Sequence, residues 1–255
     1  MVGMLQSSQV YLLVFVRLGG MIGFNPLLSR RNLPAMARVG LILTLTLLLA
    51  PQLIPAGGGT LGSLDLVMAM IRELLLGLVL GFVFQIFYYL LFFVGDLMDT
   101  QFGMSMAKVF DPGTNVQMSI SGNLLTIVFC LYLFATDSHL LLIQIFAQSF
   151  AIIPPGEFTL TVQVASVVLE LFVAVFDLAM RLAIPFIAAQ LILEMSMGVL
   201  MKLIPQIHVF VINIQFKMLL GILLLLLFAG PITSFLSNYL ELMFENIQGV
   251  LELLR

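Results

Sequence analysis

Gly95 to Asn123, GDLMDTQFGMSMAKVFDPGTNVQMSISGN, is the stretch on which the reading of this chain turns. It interrupts an intensely apolar sequence with glycine, serine and the charges Asp96, Asp99, Lys108 and Asp111. It is too polar for a spanning helix. Met98, Met104, Met106 and Met118 also set it apart from a solvated linker, because soft thioether side chains fill irregular gaps and tolerate changing partners. Asp111-Pro112-Gly113 marks a tight turn, with proline presetting φ at the second position and glycine accepting the positive φ that follows. The stretch therefore predicts a compact re-entrant loop, which at membrane depth is tolerated only where protein or a water cavity surrounds it.

The flanks of this loop set the class. Over 255 residues the chain is 62% hydrophobic and 9% charged, the composition of an integral membrane protein. A net charge of −3 without a basic cluster gives no footprint for nucleic acid. Cys130 is the single cysteine, so no intrachain disulfide forms. Met1 to Gln9 hold no lysine or arginine and the first apolar run contains Arg17, so the first helix is expected to stay attached rather than serve as a cleaved signal.

Apolar segments run from Gln9 to Phe24, Arg38 to Leu53, Leu64 to Val94, Leu124 to Ile153, Val162 to Met201 and Ile207 to Ala229. A bilayer core of roughly 30 Å needs about 20 helical residues. The third and fifth segments would reach ~46 and ~60 Å at a rise of about 1.5 Å per residue, too long for upright spans. The fourth breaks at Asp137-Ser138-His139 into two short helices. After Gly230-Pro231 the tail is amphipathic: Leu236, Leu240, Met243, Ile247 and Val250 keep a helical period, with Glu241, Glu245 and Glu252 off that face. Pro154-Pro155-Gly156 is the clearest boundary, which divides the chain into residues 1–160 and 161–255. Arg30, Arg31 and Arg38 place the first connection in the cytoplasm by the positive-inside rule.

Charges within apolar segments need a reason, since a central charge costs about 2.5 to 3.5 kcal/mol even on insertion scales. Gln163, Glu170, Asp177 and Arg181 keep within roughly 20° of one line on a helix. Asp177 and Arg181 form a self-neutralising i,i+4 pair, leaving Glu170 to find its partner on another helix. This stripe reads as a polar seam between subunits, or else as a proton or ion relay. Pro185 should release the carbonyl of Arg181 and kink that helix. Arg17, and Arg72 with Glu73, read as charges facing an interface or a cavity. Gly19-xxx-Gly23 and Gly77-xxx-Gly81 allow close helix approach. His139 and His208 lack ligand-type neighbours, so no metal is expected. No nucleophile elbow, phosphate-binding glycine loop or His-Glu-x-x-His spacing occurs, so neither enzymatic activity nor a cofactor is expected.

The order of these features resembles the FliR family of flagellar type III export-gate proteins. The likeness rests on Asn25-Pro26-Leu27-Leu28-Ser29-Arg30-Arg31-Asn32-Leu33-Pro34 after an early arginine, and on the central loop with Gln101-Phe102-Gly103-Met104-Ser105 and Phe110-Asp111-Pro112-Gly113. It also rests on Glu194 through Lys202 to Pro205-Gln206, similar to that family's hairpin turn, followed by Phe210 and Lys217.

The resemblance implies an all-α architecture with a FliP-like part followed by a FliQ-like hairpin. One copy would complete a helical pore with FliP-like and FliQ-like subunits, alongside an FlhB-like gate subunit, in the bacterial inner membrane within the flagellar basal body. Unfolded flagellar proteins would pass through it. The loop of Met104, Met106, Phe110, Asp111, Pro112, Gly113 and Met118 would plug the closed pore. Glu194 and Lys202 would join Arg17, Arg72, Glu73, Glu170, Asp177 and Arg181 at buried polar interfaces. A virulence-injectisome subunit shares this architecture. A proton-coupled transporter would also carry interrupted helices and buried acids, but the segment pattern holds no inverted repeat.

Overall fold

A computed structural model describes residues 2–28, 34–53, 61–104, 119–158, 163–204 and 209–253. Among these residues the fold is all helical: α1 (Val2–Gly23), α2 (Ala35–Leu49) running into a 3-10 turn (Ala50–Gln52), α3 (Ser63–Gln101), α4 (Ile120–Ala135), α5 (Ser138–Ile152), α6 (Gln163–Leu203), α7 (Val209–Leu227) and α8 (Ala229–Leu253). Two of the described helical stretches are long and apolar enough to cross a membrane, and up to four if each bent pair counts as one span. This is an all-α membrane protein.

The overlong third and fifth segments are single helices of 39 and 41 residues, and α6 continues through Pro185 without interruption. The fourth segment breaks where its polar residues stand. Asp137 takes a left-handed conformation (φ 55°) at the break between α4 and α5. Asparagine and aspartate bear this conformation better than other non-glycine residues because their short polar side chains bond locally. A second bent pair, α7 and α8, turns by 61° at Phe228. Pro231 is accommodated because it lies in the first turn of α8, where its missing N–H has no helical acceptor. The tail of α8 behaves as its pattern requires, with Leu236, Leu240, Met243, Ile247 and Val250 buried and Glu241, Glu245 and Glu252 exposed.

The chain packs as two compact units that interleave in sequence. The first comprises Met1–Phe87, Phe134–Phe172 and Glu241–Arg255; the second comprises Tyr88–Leu133 and Val173–Leu240. Within the first, α1 and the start of α3 come together backbone to backbone. A Cβ on Gly20 would stand 2.9 Å from the Leu74 carbonyl oxygen and 3.0 Å from the Gly77 Cα, and one on Gly81 would meet the Met21 oxygen at 3.0 Å. Gly77 would likewise run into the carbonyl of Arg17. The expected pair Gly19 and Gly23 is open, with nothing within 4 Å of either. The contact on α1 thus belongs to Gly20, one position from where motif spacing placed it.

Candidate functional site

The second unit builds the neck of the central loop. The loop expected from Gly95 starts later, because α3 continues to Gln101. The stop is made by Gly103, left-handed at φ 75°, with the Gly103 N–H bonding the Thr100 oxygen (3.3 Å) and the Met104 N–H bonding the Asp99 oxygen (3.0 Å). This is a Schellman closure, which needs a residue free of the Cβ penalty at that position. Gly95 has a different task. It lies inside the helix, where a Cβ would overlap the backbone of Gly122 in α4, and a Cβ on Gly122 would stand 2.8 Å from the Phe92 oxygen. The two sides of the neck touch through main chain.

Asp99, which in sequence looks like a solvated loop charge, is 1% exposed and fastens one side of the neck to the other. Its carboxylate accepts from the Ser119 hydroxyl (2.7 Å), the Ile120 N–H (2.6 Å) and the Ser121 N–H (3.2 Å), the first free donors of α4. Ser119 Oγ accepts from the Gly122 N–H at 2.8 Å, the geometry of an N-cap. The positive end of the α4 dipole favours a carboxylate at this place, and charge-assisted bonds are the strong ones. Met104, half-buried in the turn, is the member of the expected plug that falls among the described residues. Met106, Phe110, Asp111, Pro112, Gly113 and Met118 lie outside them, as do Pro205 and Gln206 of the hairpin turn.

The profile of the family described as "Bacterial export proteins, family 1" matches residues 8–243. This chain belongs to that family. Related proteins include the flagellar biosynthetic protein FliR of Escherichia coli strain K12, 25% identical over 95% of this chain and 91% of that protein. FliR of Caulobacter vibrioides is 29% identical over 93% and 96%, and Yop proteins translocation protein T of Yersinia pestis is 26% identical over 96% and 95%.

In this family 1 export protein the remaining charges fall into distinct environments. Arg17 and Glu73, 56 residues apart, are both fully buried and form an ion pair inside the first unit. Arg17 Nη2 donates to Glu73 Oε1 at 2.9 Å, and Nη1 donates to the carbonyl oxygens of Ser149 (3.0 Å) and Ile153 (2.9 Å). The guanidinium lies 4.4 Å from the Phe150 ring centroid, and Glu73 accepts the Gly156 N–H at 2.7 Å. Such charges survive burial because each is paired and further hydrogen-bonded. Arg72, the next residue of α3 before Glu73, is exposed.

The expected Asp177–Arg181 pair forms at 2.9 Å and is largely exposed, and Glu170 is exposed with no partner among the described residues. Glu194 pairs with Lys217 of α7, whose carbonyl oxygen accepts from Gln190 Nε2 at 3.0 Å, so the two helices are joined by polar groups as well as apolar ones. Lys202 is exposed.

Proposed function

We propose that this family 1 export protein is a non-enzymatic subunit of the flagellar type III protein export gate in the bacterial inner membrane. The observation that carries the reading is one export-family profile running from residue 8 to residue 243, across the Pro154-Pro155-Gly156 boundary. Residues 1–160 form a FliP-like part and residues 161–255 a FliQ-like hairpin, and one copy joins FliP-like and FliQ-like subunits around a pore for unfolded flagellar proteins, beside an FlhB-like gate subunit. The loop from Met104 to Met118 closes the pore as a methionine-rich plug. The clamped neck supports this: Asp99, Gly95 and Gly122 hold the two ends of the segment together, as a closure element tethered at both ends requires. Exposed Glu170, Asp177 and Arg181, beside exposed apolar side chains on α6, face neighbouring subunits in this reading.

An injectisome subunit is the second reading, favoured by the 26% identity to the Yersinia pestis protein over 96% of this chain. Co-expression of the tagged chain with its neighbouring membrane-protein genes, followed by native mass spectrometry in detergent, tests the assignment. A single copy in a large hetero-oligomer is the expected result; a free monomer or homodimer refutes it. Co-purification with injectisome rather than flagellar subunits decides for the second reading. Deleting Met106 to Met118 within the complete assembly should let ions leak across the membrane, and unchanged permeability would remove the plug.

A further inference from the structure

The first unit holds a cavity of ≈ 90 Å³ at the ends of its helices. Ile22 enters it from the last turn of α1, Phe134 from the end of α4 and His139 from the first turn of α5, with Leu41 and Leu45 of α2 alongside. Ile22, Leu142 and Phe146 are buried at its floor, whereas Phe134 and Ile143 are exposed at its mouth. Of the ten lining side chains only His139 carries a polar atom. Its ring stands 5.0 Å from that of Phe134, and its Nδ1 is buried without a hydrogen-bond partner among the described residues. Buried polar atoms are ordinarily satisfied, so an orphan in a cavity wall marks a place where a ligand supplies the partner. Water does not fit: it wants about three polar partners where this wall offers one, and apolar cavities stay dry and admit apolar guests.

We propose that this cavity takes one acyl chain of an anionic phospholipid, with His139 donating to the ester carbonyl at the head of the chain and Arg38 drawing the phosphate. Hydrocarbon is the medium expected at the mouth. The stretch Ala35–Gln52 is long and apolar enough to cross a bilayer, only 17% of it is buried, and Val39, Leu43 and Leu47 of α2 are exposed. Charge marks the polar end. Arg38 precedes Leu41 and Leu45 on the same face of α2, which places them about 4.5 and 10.5 Å further along the helix, the depth of an acyl chain whose phosphate stands at the arginine. Arg30 and Arg31 add to the positive charge of this connection, and basic residues beside a span attract anionic lipid. The corner between α4 and α5, with Thr136 and Asp137 exposed, puts polar side chains at the same mouth. A neutral imidazole carries one N–H, and with the proton on Nδ1 it meets an ester carbonyl, the acceptor found where chain joins headgroup. Lipid binding here is independent of the export-gate reading.

The test uses the complete assembly in nanodiscs doped with phosphatidylglycerol or phosphatidylcholine carrying a diazirine on one acyl chain. Labels formed on illumination are mapped by peptide mass spectrometry, with native mass as the control for assembly. Phosphatidylglycerol is expected to label the segments that hold Leu41 and Leu45 and Leu142 and Ile143. Leu45→Phe and Ile143→Phe, each adding bulk at the cavity, should lower that labelling about tenfold. Arg38→Gln should lower labelling by phosphatidylglycerol about fivefold and leave phosphatidylcholine unchanged. His139→Leu, which keeps the wall apolar and removes the donor, should weaken both probes. An unlabelled cavity in the wild type, or equal labelling in both filled variants, means contact with bulk lipid only and overturns the site. Equal labelling by the two probes overturns the anionic headgroup, and unchanged labelling in His139→Leu overturns the ester contact. Displacement by excess glycerol phosphate, which has no chain, assigns the site to a free phosphate instead. Benzoylphenylalanine at position 134 that cross-links to another subunit shows protein rather than lipid at the mouth, and likewise overturns it. These wild-type and position-134 results decide the matter even where a filled variant does not assemble.

Discussion

Replacing Arg17 with methionine keeps most of the apolar stem and removes the charge, leaving Glu73 buried with the Gly156 N–H as its donor and the Ile153 carbonyl without its donor. Breaking a buried pair from one side costs about 3–5 kcal/mol, because the surviving charge keeps its desolvation penalty. Glu73→Met should cost about as much by the same reasoning, against a total stability of roughly 5–15 kcal/mol for a typical domain. The double variant loses both charges together and strands only backbone groups, at about 1–3 kcal/mol each. It should therefore be more stable than the sum of the single changes predicts by about 3 kcal/mol or more, with both side chains in one network. Exchanging the two residues should give no rescue. Glutamate at 17 would meet the Ser149 and Ile153 carbonyls and arginine at 73 would meet the Gly156 N–H, each acceptor against acceptor or donor against donor. The assay is SDS titration of the purified assembly followed by circular dichroism, run for wild type, both single variants, the double variant and the exchange. Single variants that add within about 0.5 kcal/mol, or an exchange that restores stability, would refute the account of this site.

Three further outcomes follow from the same geometry. Gly95→Ala should destabilise the protein by about 1–3 kcal/mol, because its methyl group meets the Gly122 backbone, whereas Gly19→Ala and Gly23→Ala should be neutral or slightly stabilising; equal midpoints for the three would contradict the neck contact. Asp99→Ala should cost about 1–3 kcal/mol and speed amide exchange at Ile120 and Ser121, since both N–H groups lose their acceptor; unchanged exchange there would show that the clamp is not holding. Asp177→Asn should change subunit stability by less than about 0.5 kcal/mol, because an exposed i,i+4 pair adds little; a large loss in the isolated chain would mean that the pair is buried in solution.

What the sequence made legible were features with a local cause. Polar residues at Asp137-Ser138-His139 break an apolar run, the period of the tail survives into α8, and unbroken apolar length becomes α3 and α6. Features with a distant cause were misread or missed. Gly95 and Asp99 resemble loop residues when read along the chain, but one is glycine because Gly122 lies against it and the other is acidic because α4 begins beside it. The four-residue spacing points to Gly19 while the contact is made by Gly20, because spacing alone does not say which side of the helix meets a neighbour. The partnership of Arg17 and Glu73 across 56 residues leaves no periodic trace in the sequence. One signal was within reach: a lone arginine in α1 and Glu73 in the first half of α3, both within apolar segments, are the kind of charges that bury together.

The interleaved packing has a consequence for how the protein is made. The first unit begins with Met1–Phe87 and takes its last piece from Glu241–Arg255, so roughly 150 residues must be synthesised between the two. At about 5–20 residues per second that is some 8 to 30 s in which the apolar faces awaiting Ile247, Val250 and Leu251 stay uncovered. The nascent chain has to be sheltered for that interval by lipid, by the insertion machinery or by a chaperone. Shortening the carboxy-terminal helix would therefore damage the amino-terminal unit.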